Sequence, residues 1–417
     1  MNGIYSDIKK DIQIAKFSAY GFFKNLKFFE PFLIIFLMQS GLNLFQIGLL
    51  YSVREAMSFI FEVPSGIFAD NYGKKRELMW CFSFYIISFI IFFLGSGFFV
   101  FSVAMIFFGL GEAFRSGTHK AMIYTYLEHK NWFAHKNFVY GRTRSFSMLG
   151  SALSSVLSVI FLFKTDAIRS LFLISVMPYI LDMFLIMSYP SYLDEGAKKS
   201  FSFTEFIRLS IESVKKISKN SPVLKTITSS SFFDAVFGSV KDYIQPIMAT
   251  LVAGISLGKF LDLDRDQSLK ISLAAVYMVI YIISAYASKN IYKLNTKRSS
   301  SVLMTITMNI FALTMMIIAL AVKFEMIYIV TAAFLFMFVL KNLRRPIFVD
   351  AVGDMMAKDE RATVLSVENQ MTALFTIFLA PVFGYIADRT SFAVLFVFIS
   401  IMIFLTNIFA KVPEVKK

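Results

Sequence analysis

Residues 66–76 read Gly66-Ile-Phe-Ala-Asp70-Asn-Tyr-Gly73-Lys74-Lys75-Arg76. This stretch joins two long apolar runs, one at about 44–69 and the other at about 77–96. Glycine permits a tight turn and a close approach of two backbones, which gives a physical reason for one glycine on each side of the aspartate. Three consecutive basic residues beside an apolar run are typical of a cytoplasmic connection between membrane helices. The stretch therefore predicts a turn between two membrane-spanning helices.

The composition of the whole chain agrees with this prediction. Of its 417 residues, 57% are hydrophobic and only 17% are charged, and the mean hydropathy is +0.65. A soluble domain carries charge on about a quarter of its residues. Within a bilayer only helices and closed barrels satisfy the backbone, and the apolar runs here are continuous rather than alternating. We therefore predict an all-α membrane protein.

Twelve apolar runs are long enough to cross a bilayer, because a crossing takes about 20 helical residues. We predict 12 transmembrane helices in two six-helix halves, and we number them 1 to 12 along the chain. The first six lie near residues 15–38, 44–69, 77–96, 98–127, 139–163 and 168–189, and the second six near 223–254, 268–290, 300–321, 325–350, 362–388 and 391–411.

The formal net charge of +14 comes largely from Lys and Arg residues in the connections between apolar runs. Every second connection is basic, which places those connections and both termini in the cytoplasm. This placement argues against a nucleic-acid-binding face. The basic connections hold Lys9, Lys10, Lys16, Lys74, Lys75, Arg76, Lys130, Lys136, Arg142, Lys198, Lys199, Lys215, Lys216, Lys219, Lys293, Lys297, Arg298, Lys358 and Arg361.

The longest connection divides the chain into two predicted domains, 1–189 and 223–417, joined by a cytoplasmic linker at 190–222. Inside the linker, Ser202 and Glu205 have the spacing of a helix capping box. Apolar residues follow at helical intervals, so we expect an amphipathic helix on the cytoplasmic interface. A solvated linker with incidental helicity is the alternative interpretation.

Charged residues inside the apolar runs recur in every third helix. An ionisable side chain in the middle of a membrane helix costs several kcal/mol, so it is expected to face protein or a water-filled cavity. Peaks of charge in helices 1, 4, 7 and 10 are expected for two halves that are each built from two three-helix repeats. These residues are Lys24, Lys27, Glu30, Glu112, Arg115, His119, Lys120, Asp234, Lys241, Asp242, Lys341, Arg344 and Arg345.

From this set, with Arg54 of helix 2 and Glu368 of helix 11 added, we select candidates for a solute site near the bilayer midplane. The predicted substrate-binding residues are Lys27, Glu30, Arg54, Arg115, Lys241 and Lys341. The predicted proton-coupling acids are Glu30, Glu112, Asp234 and Glu368. For any single residue the alternative is a structural ion pair: Glu112 and Arg115, three positions apart, can neutralise each other on one helix face.

The stretch at 66–76 resembles the signature loop of the major facilitator superfamily, G-x-x-x-D-x-x-G followed by three basic residues. Glu62-Val63-Pro64-Ser65 extends the resemblance to a bacterial variant, and similar features recur in helix 1 (Phe28-Phe29-Glu30-Pro31) and helix 11 (Pro381, Gly384 to Asp388). The resemblance implies a gating role for Gly66, Asp70, Gly73 and Lys74. We expect Asp70 to accept hydrogen bonds from exposed helix N-terminal amides.

Three features depart from the family pattern. Met105 stands where many members carry an arginine in helix 4, and the second copy of the signature loop, after helix 8, is reduced to Lys293-Leu-Asn-Thr-Lys297-Arg298. Helix 5 lacks the glycine–proline motif of drug/proton antiporters. It does carry Gly150, Ser154 and Ser158 at four-residue spacing, which predicts close helix packing.

The resemblance and the charge pattern together predict a secondary active transporter that works by alternating access. We expect it to lie in the cytoplasmic (inner) membrane of a bacterium and to move a small organic solute, anionic or zwitterionic, with coupling to protons. One alternative is a multidrug/proton antiporter, and another is a non-transporting sensor or scaffold. The chain shows no phosphate-binding glycine loop, no metal-ligand spacing and no catalytic triad, so we expect no cofactor, no metal and no enzyme activity. The single cysteine, Cys81, excludes an intrachain disulfide.

Overall fold

A computed structural model describes residues 2–165, 167–194, 220–251, 264–290, 299–355 and 361–413. Ten helices in this part of the chain are long and apolar enough to cross a membrane, and a shorter apolar helical segment covers Glu30–Gln39. The helices are α1 (Asn2–Lys10), α2 (Ile12–Lys24), α3 (Leu33–Gln39), α4 (Leu44–Tyr72), α5 (Lys74–Leu94), α6 (Phe98–Arg115), α7 (Thr118–His129), α8 (Lys136–Thr165), α9 (Ser170–Met187), α10 (Ser221–Val240), α11 (Ile244–Leu251), α12 (Arg265–Asn290), α13 (Ser300–Lys323), α14 (Ile327–Met355), α15 (Arg361–Arg389) and α16 (Phe392–Phe409). The predicted amphipathic helix of the linker lies outside the described residues.

Contacts between residues are concentrated within two compact units of the chain. Unit 1 comprises Met1–Phe36, Ala56–Phe203 and Tyr277–Ala285, and unit 2 comprises the remainder. In unit 1, α2 packs on α8, while α5 packs on α6 and α9. In unit 2, α10 packs on α15, while α13 packs on α14 and α16. Each unit thus pairs its first predicted helix with its fifth, and its third with its fourth and sixth. The predicted domain limits at 189 and 223 remain a prediction.

Helix 1, predicted as continuous over 15–38, is broken. α2 ends at Lys24, and a short 3-10 turn at Glu30–Phe32 precedes α3. Pro31 lies in that turn, where its missing amide and fixed φ are tolerated. The continuous prediction was wrong because hydropathy averaged over a whole crossing hides the short, partly polar stretch from Lys24 to Glu30, where the backbone leaves the helix.

Hydroxyl groups of neighbouring helices satisfy the backbone groups that the break releases. The Phe28 amide donates to Ser175 Oγ over 3.1 Å, and the Ser158 hydroxyl donates to the Phe28 carbonyl over 2.6 Å. The Tyr179 hydroxyl donates to the Lys24 carbonyl over 3.0 Å. Non-helical backbone at membrane depth is tolerated where protein groups replace the lost hydrogen bonds in this way.

Helix 7, predicted as continuous over 223–254, is broken at the corresponding place. α10 ends at Val240 and α11 begins at Ile244, so three residues form a turn between them. Pro246 lies in the first turn of α11, where a missing amide costs no helical hydrogen bond. Helix 4 is also interrupted, because Gly117 adopts a φ of +78° between α6 and α7.

Two helix pairs make close glycine contacts. A Cβ at Gly150 of α8 would lie 2.4 Å from the Phe22 carbonyl oxygen of α2, which confirms the predicted close packing of helix 5. In unit 2, a Cβ at Gly384 of α15 would lie 2.2 Å from the Leu44 carbonyl oxygen of α4. Asp388 caps the start of α4 by accepting from the Leu44 and Phe45 amides at 3.1 and 2.8 Å.

Candidate functional site

The predicted residues of helices 1 and 4 meet in unit 1. Glu112 of α6 pairs with Arg115, one helical turn further along, and Lys27 Nζ lies 3.7 Å from Glu112 Oε1. We call these three residues the N-terminal ion cluster. The predicted ion pair between Glu112 and Arg115 is therefore present. The structure adds the lysine from the break in helix 1, so that one carboxylate lies against two cations.

Aromatic rings surround the N-terminal ion cluster. Lys27 Nζ lies 5.6 Å from the centroid of the Tyr85 ring and 5.0 Å from that of Phe108, within the range of a cation–π contact. Arg115 Nε donates to the Tyr85 hydroxyl over 3.4 Å. The cluster is therefore held in a setting where charges interact more strongly than they do in water.

Helices 7 and 10 supply the equivalent pair in unit 2. Lys341 Nζ of α14 lies 2.5 Å from Asp234 Oδ1 of α10. Lys341 Nζ also lies 5.7 Å from the centroid of the Phe237 ring, again within cation–π range. Helix 1 is thus joined to helix 4, and helix 7 to helix 10, by a carboxylate and an amine beside an aromatic ring.

Glu368 of α15 is fully buried and has two kinds of partner. Arg345 lies 2.5 Å from Glu368 Oε2, and the Ser230 hydroxyl donates to Oε1 over 3.1 Å. This carboxylate therefore links α10, α14 and α15.

Arg344 was not selected as a site residue from the sequence, although it is the largest fully buried side chain in the described part of the chain. Its guanidinium donates to the Met304 and Ser229 carbonyl oxygens at 2.8 and 3.0 Å, and to the Thr307 and Ser229 hydroxyl oxygens at 2.8 and 2.7 Å. It joins α10, α13 and α14. The one sequence signal was the adjacent pair Arg344-Arg345, which does not say which arginine points inward.

Two of the remaining candidates, Arg54 and Lys241, are paired with the residue that follows them in sequence. Arg54 lies 2.7 Å from the carboxylate of Glu55, and Lys241 lies 2.7 Å from that of Asp242 at the break of helix 7. Glu30 begins the 3-10 turn in helix 1 and is half-buried.

The predicted gating residues form a helix–turn–helix junction in unit 1. Gly66 and Asp70 lie within α4, Gly73 is the N-cap of α5 with a φ of +97°, and Lys74 is the first residue of α5. The carboxylate that accepts from the start of α5 belongs to Asp194, which accepts from the Lys75 amide over 2.7 Å. We expected Asp70 to accept from the start of α5, and this was wrong, because Asp194, which lies 119 positions after Lys75, accepts there instead.

The residues that follow α9 contact this junction and the helix start beside it. Lys75 Nζ donates to the Tyr189 carbonyl over 2.5 Å, and Tyr189 Oη lies 3.2 Å from His119 Nε2. Burial raises the pKa of the Tyr189 hydroxyl well above its usual value, so the group stays protonated at neutral pH. No sequence pattern pointed to Asp194 or Tyr189, since neither belongs to the quoted loop.

Comparisons with known proteins agree with this architecture. The sequence profile of the Major Facilitator Superfamily matches residues 17–369. A protein of Bacillus subtilis (strain 168) named "Uncharacterized MFS-type transporter YxaM" is 23% identical over 395 residues, which cover 93% of this chain and 92% of that protein.

Solved structures give the same result for the fold. The crystal structure of the nucleoside transporter NupG superposes with a TM-score of 0.74, at 11% identity over 96% of this chain and 98% of that one. A POT family transporter in complex with 5-aminolevulinic acid gives a TM-score of 0.71, at 13% identity over 95% of each chain. At such low identity the similarity shows a shared fold and leaves the solute open.

Proposed function

The chain belongs to the major facilitator superfamily, and from this premise we propose that it moves a small organic solute across the cytoplasmic membrane of a bacterium by alternating access. That it is a multi-pass membrane transporter rather than an enzyme follows from the family and from the named relative. The solute, the coupling ion and the mechanism are our proposals. We favour an anionic or zwitterionic solute and coupling to protons.

The pairing of helix 1 with helix 4, and of helix 7 with helix 10, carries the proposal. Both units keep a lysine–carboxylate contact inside apolar helices, Lys27 with Glu112 and Lys341 with Asp234. Such charges are expensive in a membrane and mark pathways for solutes or ions. In each pair the lysine can leave its carboxylate to bind a negative group of a solute, and the freed carboxylate can bind a positive group. This supports an anionic or zwitterionic solute.

The breaks in helices 1 and 7 support the same assignment. In many secondary transporters the solute and coupling-ion sites are formed by discontinuous helices near the bilayer midplane. Here Lys27 lies in the break of helix 1 and Lys241 directly follows α10 at the break of helix 7. We propose that the two broken helices complete a set of 12 crossings with the ten long helices.

Proton coupling would use the carboxylates of these contacts. Glu112, Asp234 and Glu368 each lie against a cation, so protonation of any one of them would release a lysine or arginine for the solute. Glu30, in the break of helix 1, is the fourth candidate. A protonated carboxyl carries no charge, so it also lowers the free-energy cost of the change between the inward-facing and outward-facing states.

The test is a ligand screen followed by flux on the purified full-length protein in nanodiscs and proteoliposomes. A ligand of the folded state raises the melting temperature. We expect stabilising compounds among organic anions and zwitterions, and we expect the shift to be lost in Lys341→Gln but kept in the control Lys323→Gln, an exposed lysine at the end of α13. Accumulation of the same compound should collapse with the proton gradient.

Two outcomes would contradict the proposal in different ways. Stabilisation by bulky lipophilic cations alone would indicate a multidrug/proton antiporter. Tight binding without flux in proteoliposomes would indicate a sensor or scaffold on a transporter fold.

A further inference from the structure

Helix 6 carries one charged residue inside its apolar run. This residue is Asp182 of α9, which lies five residues before the helix ends at Met187. At about 1.5 Å per residue, it lies roughly 8 Å from the end of α9 that leads into the predicted cytoplasmic linker. Asp182 is not among the acids of the proposed function, and α9 supplies none of the lysine–carboxylate contacts.

The Asp182 carboxyl is buried and has no hydrogen-bond partner. Its side chain is 0% exposed, and neither of its oxygen atoms makes a hydrogen bond within the described chain. By contrast, the buried carboxylates of Glu368 and Asp242 lie 2.5 and 2.7 Å from a cation. An ionised carboxylate without a donor or a counter-charge is very costly in an apolar interior, and such a group takes up a proton instead. The surroundings of Asp182 therefore favour its neutral form.

Lys24, the last residue of α2, is the cation whose charge acts on Asp182. The Tyr179 hydroxyl, three positions before Asp182 in α9, donates to the Lys24 carbonyl over 3.0 Å and so fixes the end of α2 beside this part of α9. The Lys24 amine lies 5.8 Å from the centroid of the Tyr20 ring and donates no hydrogen bond to Asp182. The lysine and the carboxyl are thus neighbours that are not in contact.

The helices packed against α9 offer Asp182 no second cation. These are α2, α5 and α8, and residues 145–163 in the middle of α8 contain no charged side chain. No three His, Cys, Asp or Glu side chains of the described residues form a group that could hold a metal ion, so the proton is the cation left for this carboxyl. The other titratable groups on the facing surfaces are Tyr20 on α2, Glu77, Cys81 and Tyr85 on α5, Tyr179 on α9 and Tyr189 just after it.

We propose that Asp182 is a proton-binding residue and that Lys24 is the partner of its ionised form. In this conformation Asp182 holds the proton and the Lys24 ammonium lies over the Tyr20 ring. When the Oδ–H bond breaks, the proton passes to water at the predicted cytoplasmic end of α9, and the Lys24 ammonium moves to the carboxylate. The two side chains together then change from one positive charge to none. The inference rests on the proposed function for the use of this proton in transport, whereas the proton site itself needs no solute.

Infrared spectroscopy of the purified full-length protein in nanodiscs tests the proton, because a protonated carboxyl has a carbonyl stretch that an ionised carboxylate lacks. At neutral pH we expect this band in the wild type, a shift of the band when aspartate is labelled with carbon-13 at the carboxyl, and loss of the band in Asp182→Asn. The isotope shift assigns the band to an aspartate without any variant. The matched control Asp234→Asn removes a carboxylate that is paired with Lys341 and should leave the band unchanged. An aspartate band that is missing from the wild type, or that persists in Asp182→Asn, would overturn the proposal.

Lys24→Gln tests the partner. The ionised carboxylate loses its counter-charge in this variant, so the aspartate band should persist to higher pH than in the wild type, by about one pH unit or more. The control Lys16→Gln removes the same charge two turns earlier in α2, where Lys16 Nζ donates to the Ser188 carbonyl, and should leave the titration of the band unchanged. Equal titration in Lys24→Gln and Lys16→Gln would refute Lys24 as the partner.

Flux measured beside the infrared band separates this site from the proposed function. Absence of the band together with proton-driven flux would overturn the Asp182 site and leave the proposed function standing. Flux that ignores the proton gradient, with the band present, would overturn proton coupling and with it the part of Asp182 in transport.

Discussion

At the scale of single residues, the adjacent arginines of α14, buried Arg344 and half-exposed Arg345, make different contacts. Arg345 reaches the Glu368 carboxylate, while its neighbour Arg344 donates to four neutral oxygen atoms on α10 and α13. Bonds from a charged donor to several buried oxygens are worth more than bonds between neutral groups. Arg344 therefore acts as a cross-brace for three helices.

Arg344→Ala should lower the melting temperature by at least several degrees. The substitution removes four hydrogen bonds from a charged donor, two to carbonyl and two to hydroxyl oxygens, and a hydrogen bond to a charged group contributes about 1.5–3 kcal/mol. The matched control is Arg389→Ala, which removes an exposed arginine at the end of α15. Equal melting temperatures for the two variants would contradict the bracing role.

Asp234 and Lys341 should show strong coupling in a double-mutant cycle. Each single neutral variant, Asp234→Asn or Lys341→Gln, leaves a half-buried charge without its main partner, and breaking a buried pair costs more than removing it. We expect the double variant to be more stable than the sum of the single losses implies, by about 1 kcal/mol or more. Additive losses in melting temperature would show that the 2.5 Å contact contributes little.

At the scale of helices, the contact of α4 with α15 in unit 2 depends on glycine. Gly48 and Gly384 remove the side chains from the contact, and the Ser52 hydroxyl donates across it to the Ile377 carbonyl over 2.6 Å. Asp388 adds the cap at the start of α4. The two helices are held by close backbone packing and a charged cap rather than by interlocking large side chains.

Gly384→Ala should destabilise the protein because the new Cβ would lie 2.2 Å from a backbone oxygen, and backbone cannot move aside cheaply. Gly238→Ala, in the last turn of α10, is the matched control. It meets nothing within 4 Å and should be neutral or stabilising, since alanine is the better helix former. Melting temperatures in the opposite order would refute the close contact.

Helix positions were largely predictable from the sequence, and helix breaks were not. The run predicted at 362–388 is the helix Arg361–Arg389, because hydropathy averaged over a crossing locates an apolar segment well. The same averaging smooths over a few residues of non-helical backbone, as at Lys27. Pro31 and Pro246 were visible signals, but proline does not by itself mark a break, because Pro64 and Pro381 lie inside the unbroken α4 and α15.

The candidate site was predictable in its residue types and not in its pairings. Helical spacing alone suggested the Glu112–Arg115 pair. The Asp234–Lys341 pair joins residues on separate helices, so it depends on how each helix is rotated, which a single sequence does not contain. The same holds for Asp194, whose hydrogen bond to Lys75 spans 119 positions.

At the scale of the whole molecule, the number and direction of crossings can be measured with introduced cysteines. Cys81 is the single native cysteine and is buried, so a Cys81→Ser protein gives a clean background. Lys130 and Thr390 are both exposed and follow helices 4 and 11. Seven predicted crossings separate them, one of which is the broken helix 7.

We expect a membrane-impermeant maleimide added to intact cells to label Thr390→Cys and not Lys130→Cys, and inside-out vesicles to give the reverse. An odd number of crossings between the two positions requires labelling from opposite sides. Labelling of both from the same side would show that a helix, most simply broken helix 7, does not cross. Opposite labelling with the sides exchanged would refute the cytoplasmic termini.

The hydroxyl groups around Phe28 also set an order of events during synthesis. Ser158 and Ser175 lie 130 and 147 positions after Phe28, so the ribosome makes them long after the first apolar segment has emerged. At about 5–20 residues per second, this interval lasts roughly 7 to 30 seconds. A segment with the break of helix 1 has, until then, no partner for its open backbone in hydrocarbon, so we expect it to stay near water or the insertion machinery. We therefore expect the first segment to be made to be among the last in this unit to settle into the bilayer.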